Sequence, residues 1–266
     1  MKKVNFFAIT ALLTTSFCLI SVAGGWLENI KIYEDSPRLD KVGYVGSNME
    51  KNGELSVIKK LIKKGDVVFD VGANVGKWSR SVFAHVGDVQ IHAFEPVESL
   101  YKTMKENFNS RSISIYNIAL SSAEGVQAFY FYPNDTGKSG FYDRKILREK
   151  SLEPKEIVVK VRTLDDFCRK NGIIDIDFLK IDTEGEELRV LEGGYNLLKS
   201  NSISTIQFEY GGCYIDSETT LKDVYSLLSG FGYSIFRIVP QGLIRISKWR
   251  DGLENFRYSN FLAVLK

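Results

Sequence analysis

Two sets of residues in this sequence could do chemistry by virtue of their types and spacing. The first is a glycine-rich stretch, Asp70-Val71-Gly72-Ala73-Asn74-Val75-Gly76, which follows an apolar run and precedes a helical pattern. Glycines at a strand-to-helix turn let the backbone bend sharply and approach a ligand closely. The second is a set of carboxylates. Glu95 falls roughly 20 residues after the turn, where nucleotide folds place an acid that accepts hydrogen bonds from ribose hydroxyls. Asp182, Glu184 and Glu209 fall at or just past the carboxyl ends of later apolar runs, the edge on which open α/β sheets build their sites. A tight turn and a surface acid are the plainer reading of the loop and Glu95. The order of strand, loop, helix, strand and acid favours a ligand.

The loop reads G-x-x-x-G. It lacks the third glycine of the dinucleotide fingerprint and the Gly-Lys-Ser/Thr ending of a phosphate loop; Lys77 follows Gly76 without that context. Asp70 adds a preference. A carboxylate beside the loop suits a ligand carrying an amino group and a sulfonium, and repels a pyrophosphate. The loop therefore leans towards S-adenosyl-L-methionine and away from NAD or FAD.

These residues need a sheet to hold them, and the apolar pattern predicts one. Residues 54–64 space apolar side chains helically at 55, 57, 58, 61 and 62, before Gly65. Val67-Val68-Phe69 is a short buried strand feeding the loop, and a helix runs from Gly76 towards His85. Strands at 89–94 and 113–120 flank a helix at 99–107. Later come strands at 178–181, 204–209, 233–239 and 261–265, with helices at 186–198 and 217–228. Repeated βα units with short connections predict an α/β fold, a mainly parallel central sheet with helices on both faces. The middle breaks the alternation. Residues 126–132 and 157–162 read as strands around a polar insertion at 133–156, either a substrate loop or a mobile one. Thr163 is placed to cap a helix over 163–170, with Asp166 in the capping-box position. The expected organisation is one domain over 54–266, preceded by an irregular lead-in at 24–53.

Hydrophobic content of 44% and charged content of 26% are ordinary for a globular chain. A net charge of +2, from 35 Lys+Arg against 33 Asp+Glu, gives no electrostatic case for a nucleic-acid partner. Cys18, Cys168 and Cys213 form no CxxC or Cys/His cluster. His85, ending a helix, and His92, within a strand, are too few for a His-rich metal site, so no metal is expected. The N-terminus is different. Lys2 and Lys3 precede an uncharged run, and Ser21-Val22-Ala23 stands before Gly24 like a small-residue cleavage site. Residues 1–23 read as a secretory signal or, left uncut, as a membrane anchor through 4–23. Lys2 and Lys3 would keep the N-terminus inside and send the rest outward. The protein is then exported or membrane-associated, or cytoplasmic if the true start lies downstream.

Four elements occur in order: Asp70–Gly76; Phe94-Glu95-Pro96; Asn117-Ile118-Ala119-Leu120 with Ser121; and Leu179-Lys180-Ile181-Asp182-Thr183-Glu184-Gly185 with Glu187, continued by Val190-Leu191-Glu192-Gly193-Gly194. In these the chain resembles the FkbM-type methyltransferases, class I S-adenosylmethionine-dependent enzymes that generally methylate hydroxyl oxygens. The resemblance spans residues 67–209, and the KIDTEG element is its most specific part. It implies a Rossmann-like class I methyltransferase fold with a β-rich insertion, and S-adenosyl-L-methionine as cofactor. By the same resemblance Gly72, Asn74 and Gly76, with Asp70 and Ala73 beside them, would line the methionine part. Glu95 would hold the ribose, Ala119 and Leu120 would approach the adenine, and Asp182 would face the transferred methyl. Ser122 stands where family members often carry Asp, which weakens the expected contact to the adenine amine.

Methyl transfer is an in-line displacement for which an enzyme mainly supplies alignment, and an alcohol acceptor gains from a nearby base. Asp182 or Glu209 is expected to take the proton, with Lys180 or Glu184 orienting groups around it. Glu184 also suits a cap on the following helix, Lys180 a paired or solvated position, and Glu186 and Glu187 an exposed acidic helix start. Around the insertion, Phe129 and Phe131 read as sheet packing. Lys138, Arg144, Lys145 and Arg148 read as a solvated run or as contacts to an acidic acceptor. A small molecule, glycan or lipid remains open as that acceptor. Two rivals stand beside this reading. A nicotinamide-dependent oxidoreductase should carry the missing third glycine. An exported, non-catalytic binding module with a degenerate fold would suit the leader, because S-adenosylmethionine is made in the cytosol.

Overall fold

The computed structural model describes residue 27 and residues 30–36, 46–108 and 112–265. The leader expected at 1–23, with its anchor at 4–23, lies outside the described residues. No described helix is long and apolar enough to cross a membrane.

In chain order, β1 (Ile32–Glu34) leads to α1 (Met49–Asn52) and α2 (Glu54–Leu61). Alternation follows with β2 (Val67–Val71), α3 (Lys77–His85), β3 (Gln90–Phe94), α4 (Glu98–Asn107) and β4 (Ile113–Tyr116). A middle section holds β5 (Ala119–Leu120), β6 (Gly125–Phe131), α5 (Lys145–Arg148), β7 (Lys155–Arg162) and α6 (Leu164–Asn171). Alternation resumes with β8 (Ile176–Ile181), α7 (Glu187–Glu192), α8 (Tyr195–Lys199), β9 (Ile203–Tyr210), α9 (Cys213–Asp216), α10 (Leu221–Gly230) and β10 (Tyr233–Val239). The chain closes with β11 (Gly242–Ile246) and β12 (Ser259–Leu265).

Among the described residues the main sheet has nine strands in the order β1-β11-β10-β12-β9-β8-β2-β3-β4. Strands β9, β8, β2, β3 and β4 run parallel, while β12 is antiparallel to both β9 and β10. The order reverses at β2. The chain winds outward to β4 and then returns to place β8 on the other side of β2. Open α/β sheets bind ligands outside the strand carboxyl ends at such a point. The register fits, since Val71 pairs with both Phe94 and Ile181. The glycine loop, Glu95 and Asp182 therefore leave the sheet at one level.

Alternating side chains along β2 divide the core in two. Val68 joins Val57, Ile58, Val82 and Met104 beneath α2, α3 and α4. Phe69 and Val71 join Leu164, Leu191, Val224 and Leu228 beneath α6, α7 and α10. Each fully buried side chain of this kind contributes about 1.5–3 kcal/mol. Strands covered on both faces can be apolar throughout, which is why they read as unbroken runs.

Several expectations need correction. Residues 113–120 are not one strand. The chain leaves the main sheet after Tyr116, and β5 pairs instead with β7 in a small sheet ordered β5-β7-β6. Asn117 holds this corner, its Nδ2 donating to the Glu95 and Pro96 carbonyls at 3.0 and 2.9 Å. The helix expected at 186–198 divides into α7 and α8 at Gly193-Gly194, where a side chain on Gly193 would strike the Ser121 carbonyl. The lead-in is not irregular throughout, since it contributes β1, parallel to β11, and α1. Neither β1 nor β11 was expected. The helix expected from 217 begins at Leu221, behind a Thr220–Asp223 capping box. The cap at Thr163 is as expected, with its Oγ1 accepting from the Asp166 N–H at 3.1 Å.

Candidate active site

Outside the carboxyl ends of β2, β3 and β8 lies a cavity of about 90 Å³. Gly72, Asn74, Glu95, Ala119, Leu120 and Asp182 line it, with Phe94, Phe129 and Phe141 as apolar walls. Gly72 has φ +80°, and a Cβ there would run into the Asp182 carbonyl. Glycine therefore lets the two loops touch. Asn74 also takes a left-handed conformation, φ +52°. Its N–H donates to one Glu95 oxygen at 2.8 Å, while the Val97 N–H donates to the other at 2.8 Å. Burial pushes the Glu95 carboxyl up to about 7, against the pull of these two donors. A fixed acid, aromatic walls and a second carboxylate in one cavity fit a nucleoside that carries a cationic arm.

Next to this cavity lies a wider cleft of about 460 Å³, bordered by Glu54, Trp78, Lys138, Lys180, Asp182, Glu209 and Tyr258. Gly72, Asn74, Thr136, Gly137 and Asp182 border both spaces. Asp182 is thus the carboxylate that faces both.

A chain of charge lies behind it. Lys180 Nζ is 3.2 Å from Asp182 Oδ2 and 3.1 Å from Asp70 Oδ1. Ser79 Oγ donates to the other Asp70 oxygen at 2.6 Å. Burial works against a charged Lys180, but Asp182, Asp70 and Glu54 outweigh it and hold the ammonium. Burial also pushes Asp182 up, yet Lys180 and a hydrogen bond with Glu209 bring it below its ordinary value. Glu209 goes the other way, driven well above the usual range by burial and by the Asp182 charge. Two carboxylates side by side in a buried site oppose each other's ionisation, so the two titrate together, with Asp182 shifted down and Glu209 up.

The insertion is folded over this edge. Lys138 Nζ is 2.9 Å from Glu184 Oε1, and Arg144 pairs with the other Glu184 oxygen and, at 3.4 Å, with Asp216. Tyr142 Oη and Ser121 Oγ each donate to Glu186 at 2.6 Å. Glu187 accepts from the Thr183 N–H at 2.7 Å, Thr183 Oγ1 at 2.9 Å and the Gly185 N–H at 3.0 Å. Glu186 and Glu187 are both buried. The exposed acidic helix start expected there is instead the brace of the 182–187 loop.

The structure brings Gly72, Asn74, Glu95, Ala119, Leu120 and Asp182 to the cavity, and Ala73 and Glu209 to the cleft. It does not bring the other expected residues there. Asp70 is fully buried with both oxygens engaged, so it grips Lys180 and borders neither space. Gly76 packs against Met104 and Phe108, and its N–H donates to the Ala73 carbonyl. Glu184 borders neither space and is taken up by Lys138 and Arg144. Ser122 is exposed and away from the cavity. Of the basic run, Arg148 pairs with Asp143 and Glu153. Phe129 packs edge-on against Phe141, as sheet packing predicts, but also lines the cavity. Sequence reasoning missed Glu54, Trp78 and Tyr258. No sequence signal marked Glu54, since an acid at a helix start ordinarily faces solvent and its burial is set by contacts with Asn52 and Gln207. Glu184, Glu209 and Cys213 bring one ligand atom each within 4.8 Å of one another, but Glu184 is already committed to two cations and burial keeps Cys213 a thiol.

A parallel sheet with the glycine loop and carboxylates gathered at its switch point, and an antiparallel strand set between β9 and β10, defines a class I methyltransferase. Comparison with known proteins gives the family. The model of the Methyltransferase FkbM domain matches residues 70–235, more than half of the chain, and the chain belongs to this family. It is similar to 31-O-demethyl-FK506 methyltransferase FkbM of Streptomyces tacrolimicus, 30% identical over 65% of this chain and 75% of that one. The 2-O-methyltransferase NoeI of Sinorhizobium fredii is 25% identical over 66% and 76% of the two chains. Hexuronic acid methyltransferase AglP of Haloferax volcanii is 28% identical over 66% and 68%. A crystal structure of methyltransferase FkbM from Methylobacillus flagellatus KT overlays with a TM-score of 0.47 at 16% identity, over 76% of this chain and 44% of that one. The protein is an S-adenosylmethionine-dependent methyltransferase, and the nicotinamide alternative gives way.

Proposed function

We propose that the protein methylates a hydroxyl oxygen on a small polar acceptor, a sugar or a sugar-bearing lipid, with Asp182 as the general base. The observation that carries this reading is the position of Asp182 in the wall shared by the cavity and the cleft. S-adenosylmethionine supplies a methyl group whose sulfonium leaves as a neutral thioether. Glu95 would hold its ribose, and the aromatic walls its adenine. Asp182 would accept the acceptor's hydroxyl proton as the oxygen attacks, a role that contributes typically 10²–10⁴-fold. Lys180, 3.2 Å away, favours the ionised form of Asp182, and Glu209 lies beside it on the cleft. The names of two relatives specify methylation at an oxygen, which supports the same class here.

The test has two parts. Calorimetry should show binding of S-adenosylhomocysteine. Labelled S-adenosylmethionine should then transfer its methyl group to a glycan or glycolipid fraction, with the label recovered in a methyl ether. Label in an amine or on a protein side chain would reject the acceptor class. We further read residues 4–23 as a leader that brings the enzyme to a membrane. Fractionation with N-terminal sequencing of the mature protein tests this, and a cytosolic chain that begins at Met1 would reject it.

A further inference from the structure

Asp182 leaves the sheet with its N–H still donating to the Val71 carbonyl at 3.0 Å. The chain beyond it turns sharply, with Glu184 at φ +56° and Gly185 at φ +114°. Glu187, the first residue of α7, is fully buried and closes this turn. Its Oε1 accepts from the Thr183 N–H at 2.7 Å and from Thr183 Oγ1 at 2.9 Å, and its Oε2 from the Gly185 N–H at 3.0 Å. The Thr183 N–H and the Asp182 carbonyl belong to one peptide unit, which is planar. That carbonyl is the group against which Gly72 lies. Fixing the N–H therefore fixes the carbonyl, and with it the backbone torsion from which the Asp182 side chain springs. Burial pushes the Glu187 carboxyl up to about 8, yet the neutral acid still offers its carbonyl oxygen to both Thr183 donors. Glu187 borders neither the cavity nor the cleft, so its effect on the reaction passes through this peptide.

Resting on the reading of Asp182 as the base, we propose that Glu187 is a positioning residue for methyl transfer. It holds the Asp182–Thr183 peptide so that the Asp182 carboxylate stays against Lys180, 3.2 Å away, and faces the cleft. The groups that face Asp182 are Lys180 on β8, Glu209 on β9, Lys138 and Glu184 at the insertion, Glu54 at the start of α2 and Tyr258 before β12. Lys180 favours the ionised form, so a carboxylate released from its place loses that partner and titrates higher.

The test follows the Asp182 carboxyl of the full-length protein by carboxyl-carbon NMR titration, assigned with Asp182→Asn, in Glu187→Met and Glu187→Gln. Both variants remove the same titratable group, so a difference between them reports position and not charge. Gln keeps an oxygen for Thr183 and Met does not. Asp182 should titrate about one unit higher in Glu187→Met than in Glu187→Gln. Transfer of labelled methyl to the glycan or glycolipid fraction should fall about ten- to a hundredfold in Glu187→Met and stay within about threefold of wild type in Glu187→Gln. If Glu187→Met does not fold, Glu187→Asn, whose amide stops one methylene short of Thr183, takes its place. If the wild type labels neither fraction, the NMR comparison alone decides. An Asp182 titration that is the same in the two variants, or Glu187→Met turnover at the wild-type level, overturns the proposal and leaves the base standing. Wild-type turnover in Asp182→Asn removes the base, and the proposal with it.

Discussion

Lys180 stands 3.1 Å from Asp70, a carboxylate with no exposed surface. The pair ties the floor of the glycine loop to the strand that delivers Asp182. Removing one partner of a buried pair strands the other, at a cost of about 3–5 kcal/mol. Lys180→Met should therefore destabilise the protein by that order in urea unfolding. A change under about 1 kcal/mol would mean that Asp70 finds another partner or is not buried in solution.

The opposite shifts of Asp182 and Glu209 separate their roles. Asp182→Asn should lower kcat by about 10²–10⁴. Glu209→Gln keeps a donor towards Asp182 and should stay within about tenfold of wild type. The base works only when ionised, and the Asp182 pKa lies below its ordinary value. With the donor saturating, kcat should thus persist as pH falls through the usual carboxylate range and be lost only below it. The opposite ranking of the two variants in a steady-state assay assigns the base to Glu209.

Glu95 predicts a pH dependence for donor binding. With its pKa at about 7 in the free protein, the acid must lose a proton before it can accept two ribose hydroxyls. S-adenosylhomocysteine affinity should rise about tenfold between pH 6 and 8, the change in the ionised fraction of such a group. Linkage gives the sign for the unliganded fold. A raised carboxyl pKa contributes stability that is full below the unfolded value of about 4.5 and is lost as pH rises towards 7. Glu95→Gln should flatten both profiles, measured by calorimetry and by urea midpoints; an unchanged slope in the variant assigns the proton elsewhere.

The clasp on Glu184 predicts how the insertion stays closed. Glu184 has φ +56°, a conformation that costs a residue of this type about 1–3 kcal/mol, and Lys138 and Arg144 hold it there. Arg144→Ala removes one cation from a buried carboxylate, so residues 133–156 should become more open to limited proteolysis. Cleavage sites mapped by mass spectrometry check this, and an unchanged cleavage rate would show that Tyr142 and Lys138 suffice.

The parallel half of the sheet was legible because strands buried on both faces leave unbroken apolar runs. The glycine loop, Glu95 and Asp182 were legible because short motifs mark strand ends. Asp70 was misread for a physical reason. Its neighbour in the sheet, Lys180, lies 110 positions away in the chain, and no local pattern shows that one neutralises the other. Glu186 and Glu187 looked exposed because acids at a helix start usually are; the partners that bury them, Ser121 and Tyr142 for one and Thr183 and Gly185 for the other, are set by tertiary contacts. Strands β1 and β11 escaped because three and five residues carry too little periodicity. The break after Tyr116 escaped because the Asn117 corner is built from backbone carbonyls, to which sequence patterning is blind.

Thr136 Oγ1 donates to Asn74 Oδ1 at 3.2 Å, and this contact lies in the partition between the two spaces. The two spaces are neighbours through a common wall, and the insertion contributes Thr136 and Gly137 to it. A substitution at Thr136 therefore alters the lining of both spaces at once.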